Sequence, residues 1–285
     1  MVKAHIVLTK PGIILGNVIT TAAGFALASR GHLDFRLFLL TLIGLSFVIA
    51  SSCVFNNYID RHVDAKMART KKRALATGEI SIKNALIFGI LLGLIGGSLL
   101  LIYTNLLTFF IAFAGFLIYV FPYSFGKYRT SYGTLIGSIA GAAPPLVGYC
   151  AVSNHFDLGA LILFLIVVFW QMPHFYAIAL YRFNDYSRAG IPVLPVKKGA
   201  YVTKMHMVLY TVAFIIAAVM LTVVGLTGYF YFAIATLLGL IWLGLCLRGF
   251  MASNDAVWAR QIFLFSLVVI TGLCIAMAID VRPLV

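Results

Sequence analysis

Nine apolar runs alternate with short polar breaks along the chain, at residues 12–29, 37–58, 84–103, 106–123, 133–152, 158–180, 203–224, 227–247 and 261–280. Each is close to the ~20 residues an α-helix needs to cross the hydrocarbon core of a bilayer. In that core a backbone has no water to bond, so each run must close its own hydrogen bonds as a helix. The pattern predicts an all-α polytopic membrane protein, with about nine transmembrane helices surrounding an apolar cavity and two longer loops capping one side. The break at Tyr103-Thr104-Asn105 is the thinnest separator in the count. Nothing divides the pattern into halves at residue level, so residues 1–285 read as a single domain. No small-residue cleavage site precedes the second run, and the first residues read as a short arm before a helix that stays.

Composition agrees. Hydrophobic residues make up 62% of the chain and charged residues 10%, with mean hydropathy +1.05, which excludes a soluble domain. A net charge of +13 suggests a nucleic-acid partner until the charges are placed. With the N-terminus inside, 18 of the 21 Lys and Arg fall on the inner side of the nine runs, leaving only Arg30, Arg36 and Arg282 outside. That is the positive-inside bias of a multi-pass protein in a cell (plasma or inner) membrane. The partner it implies is the lipid bilayer, and no nucleic acid is needed. Cys53, Cys150, Cys246 and Cys274 stand singly in apolar runs and read as small core residues.

The two longest connections, about 59–83 and 181–202, both fall inside. Where the second run enters the first of them, Asn56, Asp60 and Asp64 stand four residues apart. Residues at i, i+4 and i+8 lie near one helix face, about 6 Å apart along the axis. Two carboxylates and an amide so stacked are hard oxygen ligands for a divalent cation such as Mg2+. Around them crowd Arg61, Lys66, Arg69, Lys71, Lys72, Arg73 and Lys83, the partners an anionic substrate needs. The second connection opens with Tyr181, Arg182 and Asp185, its only acidic residue, followed by Arg188. Two loops of this kind can close over a metal-bound diphosphate. A transporter would place its acidic residues at the bilayer midplane instead. A haem electron carrier would need paired histidines on facing helices, whereas the six histidines here are scattered.

The Asn-x3-Asp-x3-Asp motif of Asn56, Asp60 and Asp64 resembles the first motif of the UbiA superfamily of intramembrane aromatic prenyltransferases. The second motif of that family, usually two aspartates four apart, stands here as Tyr181-x3-Asp185. That departure, with the segments SYGTLIGSIAGAAPPLVGYCAV, WQMPHFYAIALYRFNDY and AGIPVLPVKKG, is similar to the haem-farnesylating branch of the family. The resemblance implies transfer of a farnesyl group from farnesyl diphosphate to a vinyl group of haem B. The alternative within the family is a quinone precursor or other aromatic acceptor. It implies Mg2+ held by Asn56, Asp60 and Asp64 from one side and Asp185 from the other. Arg61, Lys127 and Arg182 are then expected at the phosphate oxygens, with Arg69 and Arg73 as further candidates and the Tyr181 phenol as a donor. His174, beside Pro173 in the sixth run, is expected either to ligate haem iron or to be satisfied within the helix; His62 is the other histidine placed to reach haem. A haem A synthase or oxidase-assembly protein is a possible partner of such an enzyme. Gly141-Ala142-Ala143-Pro144-Pro145 is expected to break the fifth run and allow close helix packing.

The charge split makes a direct prediction about orientation. Single cysteines at Ser81 and Ser187, in a background without the four native ones, should react with an impermeant thiol reagent in inverted vesicles and resist it in right-side-out cells. The opposite labelling would reverse the topology.

Overall fold

The computed structural model describes residues 2–67 and 70–282. Among them, nine helical segments are long and apolar enough to cross a membrane, matching the nine runs. A short α1 (Val2–Leu8) precedes the first span, α2 (Pro11–Ser29). The second and third spans are α3 (Phe35–Asp64) and α5 (Ile82–Tyr103), with a single turn, α4 (Ala74–Thr77), between them. The fourth is composite: α6 (Leu106–Ile118), a π-helical turn (Tyr119–Tyr123) and α7 (Ser124–Gly126). The fifth is broken into α8 (Gly133–Gly141) and α9 (Ala143–Ser153). The sixth, α10 (Leu158–Tyr181), leads through α11 (Phe183–Arg188) to α12 (Leu194–Val223), α13 (Tyr229–Arg248) and α14 (Asp255–Ile279).

Local signals explain the ends. Asp34, Ser81, Asn105, Asp157 and Asn254 cap their helices by accepting a backbone N–H. Asn105 also donates to the Cys150 carbonyl at 2.8 Å, so the thin break after Tyr103 is a true turn tied to α9. Two spans exceed the apolar pattern. The second continues six residues past the end of its apolar run, so that Asn56, Asp60 and Asp64 all lie on helix. The seventh begins at Leu194 and turns at Gly199, whose φ of 82° lies in the left-handed region. Polar positions at a helix end carry no hydrophobic signal, and both extensions escape periodicity for that reason.

Successive spans pack side by side, and α14 returns to α2 to close the ring. Inside it, α2 crosses α9 and α10 crosses α14. The α2–α9 crossing depends on missing side chains. A Cβ at Gly148 would stand 2.0 Å from the Thr21 carbonyl oxygen, and one at Gly24 would stand 2.2 Å from that of Pro145. The break at Ala142 (φ −92°, ψ −4°) lets the Pro144–Pro145 pair begin a new helix, as the run of small residues and prolines leads one to expect. Where α2, α9, α10 and α14 converge, Thr20, Ala23, Pro145, Ile166 and Leu273 leave a gap of only about 10 Å³. Packing this close predicts a sharp response to a methyl group. Gly148→Ala should lower thermal stability in detergent, by the roughly 1–3 kcal/mol typical of overpacking. Gly16→Ala in α2, where nothing lies within 4 Å, should leave the melting point unchanged or raised.

Candidate active site

The three motif residues at the C-terminal end of α3 are buried, with Asn56 2% and Asp60 and Asp64 each 5% exposed. Each meets one cation, and each cation comes from a different part of the chain. Lys10 donates through Nζ to Asn56 Oδ1 at 2.6 Å. Lys127 pairs with Asp60 Oδ2 at 2.5 Å, while the Tyr128 hydroxyl donates to Oδ1 at 2.6 Å. Arg73 binds Asp64 Oδ2 at 2.8 Å and reaches Asn57 Oδ1 at 3.3 Å. A buried carboxylate left alone would be far costlier than one so paired. The arrangement thus assembles three segments of chain around one helix face.

Local structure explains how those segments arrive. Lys10 sits just before Pro11 with φ 54° and ψ 68°, a left-handed conformation that a non-glycine residue adopts at a cost of order 1–3 kcal/mol. Burial pushes its ammonium down to about 8. An added anion would favour the charged form, so Lys10 is well suited to receive one. Below it, Leu8 and Ala4 of α1 pack on Val54, Leu75 and Ile80, and Asn57 donates to the Leu8 carbonyl at 2.8 Å. The π-helical turn at Tyr119–Tyr123 re-aims the residues downstream of it. Ser124 accepts from Asn56 Nδ2 at 2.8 Å and donates to the Tyr119 carbonyl at 2.9 Å. That fixes the Asn56 amide with its oxygen towards Lys10. The Tyr128 phenol is held well above its usual value, by burial first and by its bond to Asp60 after that.

Several expectations meet this geometry directly. Asn56, Asp60, Asp64, Arg73 and Lys127 are brought together. Arg61 is not: its guanidinium bonds the Tyr58 carbonyl at 2.6 Å and lies 4.2 Å over the Tyr58 ring. Arg69 lies outside the described residues. Asp185, half-buried in α11, has no ion-pair partner among the described residues, and no group of three acidic, histidine or cysteine side chains converges on one point among them. His62 is exposed. Phe121 and Phe175 also face outwards, at 53% and 37% exposure, as interfacial aromatics do.

A second polar cluster lies on the seam of α10 and α14. His174 is 8% exposed, and its Nδ1 is 2.7 Å from the Ser266 hydroxyl. That hydroxyl donates to the Phe263 carbonyl at 2.6 Å, so it accepts from His174. The imidazole is therefore the Nδ1–H tautomer, with the lone pair left on Nε2. Trp170 stacks on the ring at 4.7 Å and donates to the Ser266 carbonyl at 2.8 Å. Where α10 ends, Arg182 and Arg260 stand over the Tyr181 ring, at 4.4 and 5.9 Å from its centroid. Sequence reasoning alone misses Lys10, Asn57, Ser124, Tyr128 and Arg260 as site residues. Only Lys10, a lone cation against the first span, carries a signal there that could have marked it.

Among the described residues, a closed ring of nine membrane-length helices, with a buried, charge-matched carboxylate cluster at one face, defines a protein of the intramembrane prenyltransferase class. The chain belongs to the UbiA prenyltransferase family, whose profile matches residues 17–268. It is similar to the protoheme IX farnesyltransferase of Protochlamydia amoebophila, at 55% identity over 280 residues, which covers 98% of this chain and 99% of the relative. The enzyme of the same name from Edwardsiella ictaluri is 54% identical over 281 residues, covering 98% and 95%. Among solved structures, a digeranylgeranylglyceryl phosphate synthase matches with a TM-score of 0.81 at 19% identity, over 98% of both chains. A UbiA homolog from Archaeoglobus fulgidus bound to GPP and Mg2+ matches at 0.73 and 15%, over 94% of this chain and 99% of that one. At those identities the structural likeness speaks for the fold.

Lys10 provides the test of this cluster. Lys10→Met should weaken the binding of inorganic pyrophosphate in the presence of Mg2+ by roughly tenfold, the loss of one charge-assisted contact, as read by calorimetry on the detergent-solubilised protein. Unchanged affinity would leave Lys10 a purely structural partner of Asn56.

Proposed function

We infer that the protein is a protohaem IX farnesyltransferase, joining the farnesyl group of farnesyl diphosphate to a vinyl group of haem B, with addition of water, to give haem O and diphosphate. Near-full-length similarity to relatives of that name is the single observation that carries the reading, and the charge-matched site on α3 supplies chemistry that fits it. Nothing in the similarities favours a quinone precursor as acceptor. The active face is cytoplasmic, as the charge split implies, and the protein crosses the cell membrane nine times.

The donor set fits Mg2+. Mg2+ is usually held by one or two carboxylates together with phosphate oxygens and water rather than by an all-protein cage. Asp60 and Asp64, with Asn56 beside them, supply that short list of hard oxygens, and Asp185 of the second loop is the further carboxylate from the facing side. The bound cation would serve as a Lewis acid that spreads the charge of the departing diphosphate. Lys10, Arg73 and Lys127 are the cations that would exchange part of their carboxylate contact for phosphate oxygens. Cleavage breaks the allylic C1–O bond, and the electron pair leaves with diphosphate. The vinyl terminal carbon then bonds to C1, and the positive charge passes to the carbon next to the porphyrin ring, which delocalises it. Water adds at that carbon and loses a proton, leaving the hydroxyl of the new arm.

The apolar spans exclude water until that last step. Tyr119 and Tyr123 stack at 5.1 Å on the π-helical turn beside the motif, where aromatic faces can stabilise a cation by roughly 0.5–2 kcal/mol each. On the other side of the ring, His174 offers Nε2 as a neutral imidazole ligand for haem iron, its orientation set by Ser266. A haem A synthase or oxidase-assembly protein is the partner that would take up the product.

The assay is incubation of purified protein with haem B, farnesyl diphosphate and Mg2+, followed by mass analysis of the haem. Haem O should form with the parent. It should fall below detection with Asp60→Asn and with Asp64→Asn, both of which should still fold and insert in the membrane. Prenylation of 4-hydroxybenzoate in place of haem would overturn the acceptor, and full activity of either variant would overturn the metal assignment.

A further inference from the structure

Arg182 and Arg260 come from different spans, yet both guanidiniums stand over the single ring of Tyr181. Neither has an acidic partner among the described residues. Asp255, one turn and a half before Arg260 on α14, is taken by Lys204 at 2.6 Å, and Asp185 pairs with neither. Two like charges drawn to one ring without a counter-ion repel each other, and an aromatic face offsets only part of that. Such a pair favours an anion that can accept from both.

The surface beneath the pair narrows the choice of anion. Tyr181 follows His174 by seven residues, two turns along the same stripe of α10 and about 10 Å further towards the inner face. Around His174 the seam presents flat groups: Trp170, one turn further from Tyr181, stacks on it at 4.7 Å and Phe263 lies 5.1 Å from it. One edge of this surface thus carries two unpaired guanidiniums, and its middle carries an imidazole lone pair between aromatic rings. A planar, apolar molecule with a metal at its centre and two carboxylates on one edge matches each feature in turn.

We propose that Arg182 and Arg260 are the anchor for the two propionates of the haem substrate, one guanidinium to each carboxylate, with Tyr181 as the platform that holds both. This rests on the reading of haem B as the acceptor. It assigns Arg182 and Tyr181 to the acceptor rather than to diphosphate, whose charge is met by Lys10, Arg73 and Lys127 around α3. Guanidinium suits the task because its planar fork binds a carboxylate through two hydrogen bonds. In protohaem the vinyl groups lie on the edge opposite the propionates. Anchoring the propionates at the rim therefore turns the reacting edge into the apolar interior.

The experiment compares haem B with its dimethyl ester, in which both propionates are uncharged, by absorbance titration of the purified protein in neutral detergent. The parent should bind haem B at least about tenfold more tightly than the ester, the loss of a charge-assisted contact. Arg260→Gln and Arg182→Gln should each lower affinity for haem B towards that for the ester and leave the ester unchanged. Arg260→Lys, which keeps the charge but loses the fork, should fall between. Calorimetry with pyrophosphate and Mg2+ should give the parent's affinity in all three variants, which also shows that they are folded. A parent that farnesylates haem B but binds acid and ester alike overturns the anchor and leaves the haem reading standing; the arginines are then charges facing lipid headgroups. Loss of pyrophosphate affinity in Arg182→Gln or Arg260→Gln returns the pair to the diphosphate site. A parent that neither binds nor farnesylates haem overturns both readings.

Discussion

The structure turns on the neutralisation of two carboxylates and an amide at the end of a membrane helix. Asp60 and Asp64 are almost inaccessible to solvent, and a carboxylate in such a place must find a partner or take up a proton. The partners come from before the first span, from the loop after the second and from the end of the fourth. Drawing all three to one helix face fixes how α2, α3 and the fourth span meet at the motif. Site and fold are thus one construction here. The same ion pairs that hold those segments in place provide the cations and oxygens of the proposed chemistry, and neither partner of a buried pair can be removed without stranding the other.

The two substrates of the proposed reaction need opposite surroundings, and different helices supply them. The α3 side is polar, short-ranged and dense in charge. The α10–α14 side is aromatic, with one imidazole fixed by Ser266 and a pair of arginines only at its rim. The packing between them is close: α2 crosses α9 at glycines that admit no methyl group, and little empty space remains where four helices converge. A reactive allylic cation survives only in a place so poor in water.

Much of the fold is legible in the sequence, because a bilayer turns hydrophobicity into geometry. The nine apolar runs correspond to nine helices of membrane length among the described residues, and the glycine–proline segment of the fifth broke where small residues and prolines occur together. The motif spacing placed Asn56, Asp60 and Asp64 on one face. What escaped was contact between distant segments. Arg61 neighbours the motif in sequence but bonds the Tyr58 carbonyl, because a residue next to Asp60 lies about 100° away around the helix. Lys10 and Tyr128, remote in sequence, complete the cluster instead. Arg260 looked like one more inner-side charge, and only the crossing of α14 with α10 brings it to Tyr181. Charge counting assigns a side of the membrane; it says nothing about which ring a guanidinium will meet.

The π-helical turn at Tyr119–Tyr123 has a consequence for the phase of the fourth span. Such a turn accommodates one extra residue within a helix, and everything after it is rotated by about 100° relative to an uninterrupted α-helix. Ser124, Lys127 and Tyr128 all lie downstream of that rotation, and all three touch the α3 motif. A chain one residue shorter in this stretch would keep its hydropathy and membrane insertion, yet it would carry the lysine and the tyrosine around to another neighbour. The register of a single turn therefore couples the lipid-facing and site-facing sides of this span, and an insertion or deletion there acts on the site as a rotation, with no change in any residue's chemistry.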